Sequence, residues 1–535
     1  MEQILFKNLT FTYPLTGKKA LDGVTLGIKK GEFILLCGKS GCGKTTLLRH
    51  LKAPLAPEGK RDGEVLINGK SVFDMSTAEN ARTVGFVMQD PEMQIVTDKV
   101  WHELAFGLEN TGEDKNEIRL RTAEMAAYFG MQNIFDKKIE ELSGGQKQLL
   151  NLASVMVCHP EILLLDEPVS QLDPVAAENF ISAVAKINRE LGVTVVMTEH
   201  RLEEAFALAD RIILMDEGGI TLDAPPRELC ERERGNDFLT LAMPAPVRVF
   251  SRLTPNEKMP LTVREAAQKL NELIKEPEFT KINYTPRLSD KTAAELKGVC
   301  FRYEKNGSNV INELTMKIPE GCVFSVLGGN AAGKSTLLKL IAGILPVQSG
   351  KIKFFGKERK KSDIRIGYMP QNPQTLFTEN TLRKELAGER MQEAARLTGL
   401  TELLDRHPYD LSGGEQQRAA LAKLLIDDPE IYLLDEPTKG MDCEFKQSLA
   451  ELFGQLTARG KTVITVSHDV EFCAAVSDAC VMLFDGEAVG ASDVRSFFAK
   501  NYFYTTAASR MSRGLFENCV TDADVTELCR KNMSN

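Results

Sequence analysis

Short runs of consecutive apolar residues alternate along this chain with longer stretches in which apolar residues recur every three or four positions. Examples of the runs are GEFILLCG, EILLLDEP and VTVVMTEH. Runs of this kind are typical of β-strands that are buried on both faces, and the longer stretches are typical of amphipathic helices. We therefore predict an α/β fold with mostly parallel sheets, and we expect the functional residues at the ends of the strands.

The same series of motifs occurs twice, which indicates an internal duplication. The first series begins at LFKNLTFTYP and the second at ELKGVCFRYE. We predict two tandem domains at 1–242 and 294–500, joined by a proline-rich connector at 243–293 that holds one short helix. A tail at 501–535 leaves the repeat, and we expect it to fray. The matched positions are Lys44 and Lys334, Gln89 and Gln371, Ser143 and Ser412, Glu167 and Glu436, and His200 and His468.

Composition narrows the classes of protein that fit. The net charge of -9 has the wrong sign for a protein that coats nucleic acid through its overall field. The 11 cysteines form no C-x-x-C pair, which favours reduced thiols over a disulfide framework or a zinc site. No apolar stretch approaches the roughly 18 residues of a membrane-spanning helix, and the first residues do not resemble a signal peptide. We expect a protein that remains in the compartment where it is made.

Two glycine-rich segments, at residues 38–45 and 328–335, match the pattern G-x-x-x-x-G-K-[ST]. Each follows a predicted strand and opens a predicted helix, so its backbone N–H groups and its lysine can bind the phosphates of a nucleotide. A chance glycine-rich turn is the alternative, and two matches in register disfavour it. The residues assigned to nucleotide binding are Gly38, Ser40, Gly41, Gly43, Lys44, Thr45 and Thr46, and Gly328, Asn330, Gly333, Lys334, Ser335 and Thr336.

An apolar strand ends in two adjacent carboxylates in each copy, Asp166-Glu167 and Asp435-Glu436. Buried acids at a strand end need a cation or hydrogen bonds. We assign Asp166 and Asp435 to Mg²⁺, together with the hydroxyls of Thr45 and Ser335. The glutamates point the other way, and we assign them to polarising the attacking water. A solvated acidic turn is the alternative interpretation.

The segments LSGGQKQ (142–148) and LSGGEQQ (411–417) resemble the signature of ATP-binding-cassette ATPases. The resemblance implies two P-loop domains, each with a mostly parallel sheet, a helical subdomain and a small antiparallel β subdomain. It implies that Tyr13 and Tyr303 stack on adenine. It also implies that Gln89 and Gln371 sense the γ-phosphate and the membrane partner and bind the metal ion. His200 and His468 would hold the γ-phosphate and the attacking water.

The same resemblance implies head-to-tail pairing of the two domains within the chain. Each ATP would then lie between the phosphate loop of one copy and the signature of the other. The Lys44 site would be closed by Ser412, Gly413 and Gly414. The Lys334 site would be closed by Ser143, Gly144 and Gly145. ATP and Mg²⁺ are the implied cofactors.

Two positions in the phosphate loops carry separate expectations. Ala331 stands where the first copy has Gly41, so a positive φ at this position would strain the second loop. Cys42 lies inside the first loop, where we expect the following helix to favour its thiolate form.

The sequence around Gln89, VGFVMQDPEMQIVTDKVWHELAFGLEN, and the tail segment NYFYTTAASRMSRG resemble the energy-coupling factor group of importers. This implies a peripheral protein at the cytoplasmic face of the cell membrane that drives uptake of a vitamin or transition-metal ion. Its partners would be a transmembrane scaffold subunit and a small substrate-capturing membrane subunit, with no nucleic acid. Asp90 or Glu92 would pair with an arginine on a coupling helix of the scaffold, and a solvated acidic loop is the equally weighted alternative. The alternative is a soluble twin-cassette ATPase that acts on the ribosome, but the connector is not the long charged helix typical of that class.

Overall fold

Ten strands in the first half of the chain form two sheets of different character. The computed structural model describes residues 2–14, 17–199, 202–232, 241–254, 257–286, 288–305, 307–358 and 364–533. The chain divides into unit 1, Met1–Pro244, and unit 2, Ala245–Asn535. In unit 1 the strands are β1 Glu2–Thr12, β2 Lys19–Lys29, β3 Phe33–Gly38, β4 Lys60–Ile67, β5 Lys70–Ser71, β6 Val84–Val87, β7 Ile162–Asp166, β8 Thr194–Thr198, β9 Arg211–Asp216 and β10 Gly219–Ala224.

The larger sheet of unit 1 has the order β10-β9-β3-β8-β7-β6 and is parallel except for β10. Strands β3, β7 and β8 are buried along their whole length, as their unbroken apolar runs predict. The smaller sheet, β2-β1-β4-β5, is antiparallel and alternates buried with exposed residues. The helices are α1 Lys44–Arg49, α2 Thr77–Thr83, α3 Val100–Asn110, α4 Lys115–Tyr128, α5 Gly144–Met156, α6 Pro174–Leu191 and α7 Pro226–Arg232.

Unit 2 repeats both sheets. The parallel sheet has the order β16-β17-β18-β13-β19-β20, with β20 antiparallel, and the smaller antiparallel sheet has the order β12-β11-β14-β15. The predicted α/β organisation, with a mostly parallel core and a small antiparallel sheet in each copy, is therefore confirmed. The strands are β11 Thr292–Phe301, β12 Ile311–Pro319, β13 Val323–Leu327, β14 Ser349–Phe354, β15 Lys357–Glu358, β16 Ile366–Met369, β17 Ile431–Asp435, β18 Thr462–Val466, β19 Ala479–Phe484 and β20 Glu487–Asp493.

The helices of unit 2 include segments that have no described counterpart in unit 1. The connector supplies α8 Ala245–Leu253 and α9 Val263–Leu273, and the tail supplies α17 Ala507–Ser512 and α18 Asp522–Met533. The others are α10 Lys334–Ala342, α11 Leu382–Glu385, α12 Met391–Leu397, α13 Gly413–Asp427, α14 Cys443–Ala458, α15 Val470–Val476 and α16 Val494–Lys500.

The connector and the tail pack against each other, contrary to the expectation that the tail frays. Helix α8 packs on α18, and α9 packs on α17. The Asn532 side chain accepts a hydrogen bond from the backbone N–H of Phe279 at 3.0 Å and donates to its carbonyl at 2.9 Å. Val525, Leu528 and Cys529 of the tail are buried. The expectation of fraying was wrong for 507–533, because these tail helices bury apolar residues. The polar residues at the ends of the segment favour an exposed chain when the sequence is considered alone.

Candidate nucleotide-binding sites

Each phosphate loop leaves the central strand of its parallel sheet through a glycine that no other residue can replace without strain. Gly38 at the end of β3 and Gly328 after β13 both have φ of +148°. A Cβ at Gly38 would lie 2.2 Å from the Met215 carbonyl oxygen, and one at Gly328 would lie 2.3 Å from that of Leu483. The glycines therefore allow the loop to turn tightly against a neighbouring strand before the helix begins.

The two lysines are the first residues of the helices that follow their loops, and their ammonium groups fold back to bind equivalent pairs of loop carbonyls. The Lys44 ammonium donates to the carbonyls of Gly38 at 2.8 Å and Lys39 at 3.0 Å. The Lys334 ammonium donates to those of Gly328 at 2.9 Å and Gly329 at 2.8 Å. Both lysines are buried. The loop thus holds a positive charge at the amino end of α1 or α10, where a phosphate is also attracted by the helix dipole.

The position occupied by Ala331 does require a positive φ. Ala331 has φ of +62°, and the matching Gly41 has φ of +78°. A Cβ at Gly41 would meet no atom within 4 Å. The strain at this position therefore arises from the backbone conformation and not from crowding.

The aspartates at the strand ends are buried, and each receives hydroxyl groups. Asp166 accepts hydrogen bonds from the hydroxyls of Thr45 and Thr198, both at 2.9 Å. Burial and the adjacent negative charge of Glu167 raise the pKa of Asp166, and its two hydroxyl partners act against that rise. A cation beside Thr45 and Asp166 would relieve this unfavourable burial.

In the second copy Asp435 is also buried, and burial raises its pKa while the Ser335 and Tyr368 hydroxyls lower it. The Tyr368 hydroxyl donates to Asp435 at 3.4 Å. Val466 stands where the first copy has Thr198, and Tyr368 stands where the first copy has Phe86. In each copy the strand-end aspartate therefore accepts a hydrogen bond from a neighbouring strand, but the donor lies on β8 in the first copy and on β16 in the second. Sequence reasoning missed Thr198 and Tyr368: the change of residue type between the repeats is visible in the sequence, but which strands lie beside the aspartate is not.

The two predicted catalytic glutamates have different partners. Glu167 accepts a hydrogen bond from the Gln89 side chain at 2.8 Å. Glu436 Oε1 lies 3.1 Å from His468 Nε2, and the other carboxylate oxygen accepts the His468 backbone N–H at 3.2 Å. Both glutamates have positive φ, +46° and +54°, a strained conformation that is often found at active sites.

Of the other two predicted residues, Gln371 shows no contact with Glu436 in the described structure, and His200 is not described. The described structure places the Gln371 side chain in an exposed position, and the Gln371 carbonyl accepts a hydrogen bond from Gln417 at 3.1 Å. His200 lies outside the described residues. The structure thus brings Gln89 to Glu167 and His468 to Glu436.

The tyrosines predicted to stack on adenine occupy equivalent positions. The Tyr13 hydroxyl lies 3.0 Å from the Thr46 hydroxyl, and the Tyr303 hydroxyl lies 3.0 Å from that of Thr336. Tyr13 packs edge-on against Phe11, and Tyr303 is 59% exposed. Each ring is therefore fixed beside the helix that follows the phosphate loop, and stacking on adenine stays a prediction.

The signature segments form capped helix N-termini, which suit an anion. Ser143 accepts a hydrogen bond from the Gln146 N–H at 3.3 Å, and the Gln146 side chain accepts one from the Ser143 N–H at 2.9 Å. Ser412 and Glu415 make the same reciprocal pair. Gly144 opens α5 and Gly413 opens α13, each followed by a second glycine, Gly145 or Gly414.

Tight packing explains that second glycine. A Cβ at Gly145 would lie 2.8 Å from the Ala176 side chain, and one at Gly414 would lie 2.6 Å from the Gly440 carbonyl oxygen. Closure of each phosphate loop by the signature of the other unit stays a prediction.

Cys42 does not have the character expected from its position. Its side chain is buried, and burial raises the pKa of the thiol, an effect only partly offset by the nearby Lys44. The expectation of a stabilised thiolate was wrong because desolvation outweighs the charges of the lysine and the helix.

Two kinds of feature are absent from the described part of the chain. None of its helices is both long enough and apolar enough to cross a bilayer. None of its residues form a cluster of three or more histidine, cysteine or carboxylate side chains suited to a resident metal ion. A magnesium site with one carboxylate and one hydroxyl from the protein, as at Asp166 and Thr45, is compatible with the second result.

The chain is similar to known proteins over nearly its whole length. The family described as "ABC transporter" matches residues 21–170 and 311–439. An ABC transporter ATP-binding protein of Bacillus anthracis is 41% identical, covering 98% of each chain. One of Methanosarcina mazei is 33% identical, covering 91% of this chain and 88% of the relative.

A solved archaeal structure shows the same fold. The archaeal ribosome recycling factor aABCE1, in its complex with the ribosomal stalk protein aP1, is 21% identical with a TM-score of 0.59, covering 92% of this chain and 91% of its own. CbiO1 of Clostridium perfringens, part of the ABC transporter complex cbiONQ, is 29% identical with a TM-score of 0.40, covering 43% of this chain and 92% of its own. On the matched residues and the full-length relatives, the chain belongs to the ABC transporter family and is an ATPase with two tandem ATP-binding-cassette domains.

Proposed function

We propose that this chain is the ATP-hydrolysing subunit of an importer of the energy-coupling factor type for a vitamin or transition-metal ion. It acts at the cytoplasmic face of the membrane, where it binds a transmembrane scaffold subunit that holds a small substrate-capturing subunit. The observation that carries the proposal is the segment after Gln89, whose sequence resembles that group and which presents a distinctive surface.

The segment after Gln89 is fixed in place and exposes apolar side chains. The Gln94 side chain accepts a hydrogen bond from the Met88 N–H at 2.8 Å and donates to the Phe86 carbonyl at 3.1 Å. Between and beyond these anchors, Met93 is 76% exposed and Val96 is 65% exposed. Apolar side chains presented on an anchored loop are suited to contact a partner protein.

The acids of this segment already have partners in unit 1. Asp90 caps the turn Pro91–Met93 by accepting the Glu92 N–H at 3.1 Å, and Glu92 pairs with Lys147. A scaffold arginine would have to compete with these contacts. Met93 and Val96 are therefore the stronger docking groups, and a pairing of Asp90 or Glu92 with an arginine is secondary.

The second copy presents a different surface at the equivalent place. Asn372 caps the turn Pro373–Leu376, Gln374 bonds to Gln416 at 3.2 Å, and Phe377 is buried. Tyr409, which is 54% exposed, is the large apolar group nearby, with its hydroxyl 3.5 Å from the Gln374 carbonyl. Because the two surfaces differ, one chain can bind an asymmetric scaffold in a single orientation.

The proposed catalytic cycle uses the contacts seen in each copy. ATP draws the lysine ammonium from the loop carbonyls to its phosphates, and its γ-phosphate binds Gln89 in the first site and His468 in the second. Glu167 and Glu436 then exchange that side-chain contact for one with the attacking water, whose proton they accept. Hydrolysis separates the two copies, and the membrane partners respond to this opening and closing.

Magnesium fits this arrangement. Thr45 and Asp166 in the first site, and Ser335 and Asp435 in the second, offer the oxygen ligands that Mg²⁺ prefers, with Gln89 and Gln371 as further candidates. The ion would neutralise charge on the phosphates when it is bound.

The competing function is action on the ribosome. The likeness to aABCE1, at 21% identity, shows the shared fold and does not extend to the partner. The co-purification experiment below separates the two functions.

The test is to isolate the tagged full-length chain from its own cells and identify the integral membrane proteins that co-purify with it. The matched variants are Met93→Asp and Leu191→Asp, because Leu191 is 60% exposed at the end of α6 and lies outside the proposed surface. We expect Met93→Asp to lose the membrane partners and keep its basal ATPase activity, and Leu191→Asp to keep both.

Two results would overturn the proposal. The first is recovery of the chain with ribosomes and not with membranes. The second is equal membrane recovery of the wild-type chain and the Met93→Asp variant.

A further inference from the structure

The tail of the chain returns to the second phosphate loop. The Tyr504 hydroxyl donates a hydrogen bond to the Gly328 carbonyl oxygen at 3.1 Å. The same carbonyl accepts the Lys334 ammonium at 2.9 Å. A residue outside every motif of the repeat is thus in direct contact with the loop that binds phosphate.

The segment that carries Tyr504 is fixed by two hydrogen bonds from the residues that follow it. The Thr505 hydroxyl donates to the Phe498 carbonyl at 2.6 Å. The Ala507 N–H donates to the Glu471 carboxylate at 2.7 Å. Glu471 lies in the first turn of α15, which begins two residues after His468. The tail therefore connects the phosphate loop to the helix that follows the γ-phosphate histidine.

The Tyr504 ring is held by apolar packing as well. It lies against a buried cluster that includes Leu327 and Phe497, and Val470 packs on the same cluster. Leu327 of this cluster ends β13 and immediately precedes Gly328, so the ring packs on a cluster that borders the loop while the hydroxyl contacts the loop itself. A ring held in this way keeps its hydroxyl in one place, which lowers the entropy lost in the hydrogen bond.

We propose that Tyr504 is a positioning residue of the Lys334 ATP site. When the phosphates draw the Lys334 ammonium away, the buried Gly328 carbonyl loses one donor, and the Tyr504 hydroxyl keeps it hydrogen-bonded. Without that hydroxyl, the loop would carry an unsatisfied carbonyl in its ATP-bound form. The inference rests on ATP binding at this loop and holds whichever partner the chain serves.

The effect belongs to the second site, since Tyr504 contacts the loop of unit 2. Residues 233–240, which follow the corresponding helix α7 of the first copy, lie outside the described part of the chain. The test therefore has to measure each site separately.

The experiment uses the full-length chain carrying Lys44→Met, so that tight nucleotide binding is limited to the Lys334 site. Binding of a fluorescent ATP analogue with Mg²⁺ is titrated for Tyr504→Phe and for the control Tyr502→Phe. The control removes the same hydroxyl from a tyrosine that is 65% exposed. Loss of one hydrogen bond predicts about threefold to tenfold weaker binding for Tyr504→Phe and no change for Tyr502→Phe.

A second readout separates positioning from general stability. In a Lys334→Met chain, Tyr504→Phe should leave ATP binding at the Lys44 site unchanged. In the otherwise wild-type chain it should raise KM for ATP with little change in kcat. Unchanged binding at the Lys334 site, or equal weakening at both sites, would overturn the inference.

Discussion

Relief of the backbone strain at Ala331 should improve the second ATP site, and the same strain introduced at Gly41 should impair the first. Both positions have positive φ, +62° at Ala331 and +78° at Gly41. Ala331 is exposed, and a Cβ at Gly41 would touch nothing within 4 Å. The substitutions Ala331→Gly and Gly41→Ala therefore change the conformational preference of the backbone and almost nothing else.

The magnitude follows from two opposing contributions. A non-glycine residue in the left-handed region costs about 1–2 kcal/mol. Glycine loses about 0.5–1 kcal/mol more backbone entropy on folding. The net effect is about 0.5–1 kcal/mol, or about twofold to fivefold in an equilibrium constant. If the loop can relax when ATP is absent, this energy changes the ATP affinity. If the loop keeps the same conformation without ATP, the energy changes the free energy of unfolding.

The assay measures both quantities in chains with one functional phosphate loop. Ala331→Gly is placed in the Lys44→Met chain and Gly41→Ala in the Lys334→Met chain, and each is compared with its parent by ATP titration and by urea unfolding. We expect tighter binding or higher stability for Ala331→Gly, and the opposite for Gly41→Ala. If neither quantity changes in either chain, or if both substitutions act in the same direction, the argument from φ is refuted.

Three further predictions concern individual side chains. Glu167→Gln and Glu436→Gln should each bind ATP normally but slow hydrolysis at their own site by about 100-fold or more, since the group that accepts the proton is lost; single-turnover hydrolysis checks this, and normal turnover of the double variant would contradict the assignment. Because burial raises the pKa of Cys42, N-ethylmaleimide should inactivate the ATPase slowly at neutral pH and faster as the pH rises; a Cys42→Ala chain that is inactivated equally fast would show that the damage lies elsewhere. Lys52 donates to the Val84 carbonyl, and burial lowers its pKa from 10.5 to about 8. Between pH 8 and 10.5 the unfolded chain then binds more protons than the folded chain, so the stability of wild type relative to Lys52→Met should rise by up to about 3 kcal/mol as the pH increases through that range. Urea unfolding at several pH values measures the difference, and curves of unfolding free energy against pH that run parallel for the two chains would contradict it.

Much of the fold and of the site follows from local sequence. Unbroken apolar runs such as FILLCG and ILLLD can be satisfied only by strands that are buried on both faces. A glycine with φ of +148° and a lysine at the start of a helix place the phosphate loop through backbone geometry alone. For that reason the repeat, the two parallel sheets and the positions of Lys44 and Lys334 could be predicted from motif spacing.

The hydrogen bonds that hold the carboxylates of Asp166 and Asp435 could not be derived from local sequence. Thr198 reaches Asp166 from one neighbouring strand, whereas Tyr368 reaches Asp435 from the other. Which strands are neighbours depends on sheet order, and sheet order is a property of the whole sheet and not of any one motif.

By itself, the sequence determined that this protein folds as two copies of one α/β domain, each with a phosphate loop, a strand-end Asp-Glu pair and a capped signature helix. Those features arise from contacts within a few residues of one another, or from periodic burial. Only the tertiary structure decided that Cys42 is a desolvated thiol and that Tyr504 donates to the Gly328 carbonyl. Burial and long-range hydrogen bonds depend on how distant segments pack together, and that packing cannot be inferred from the order of residues along the chain.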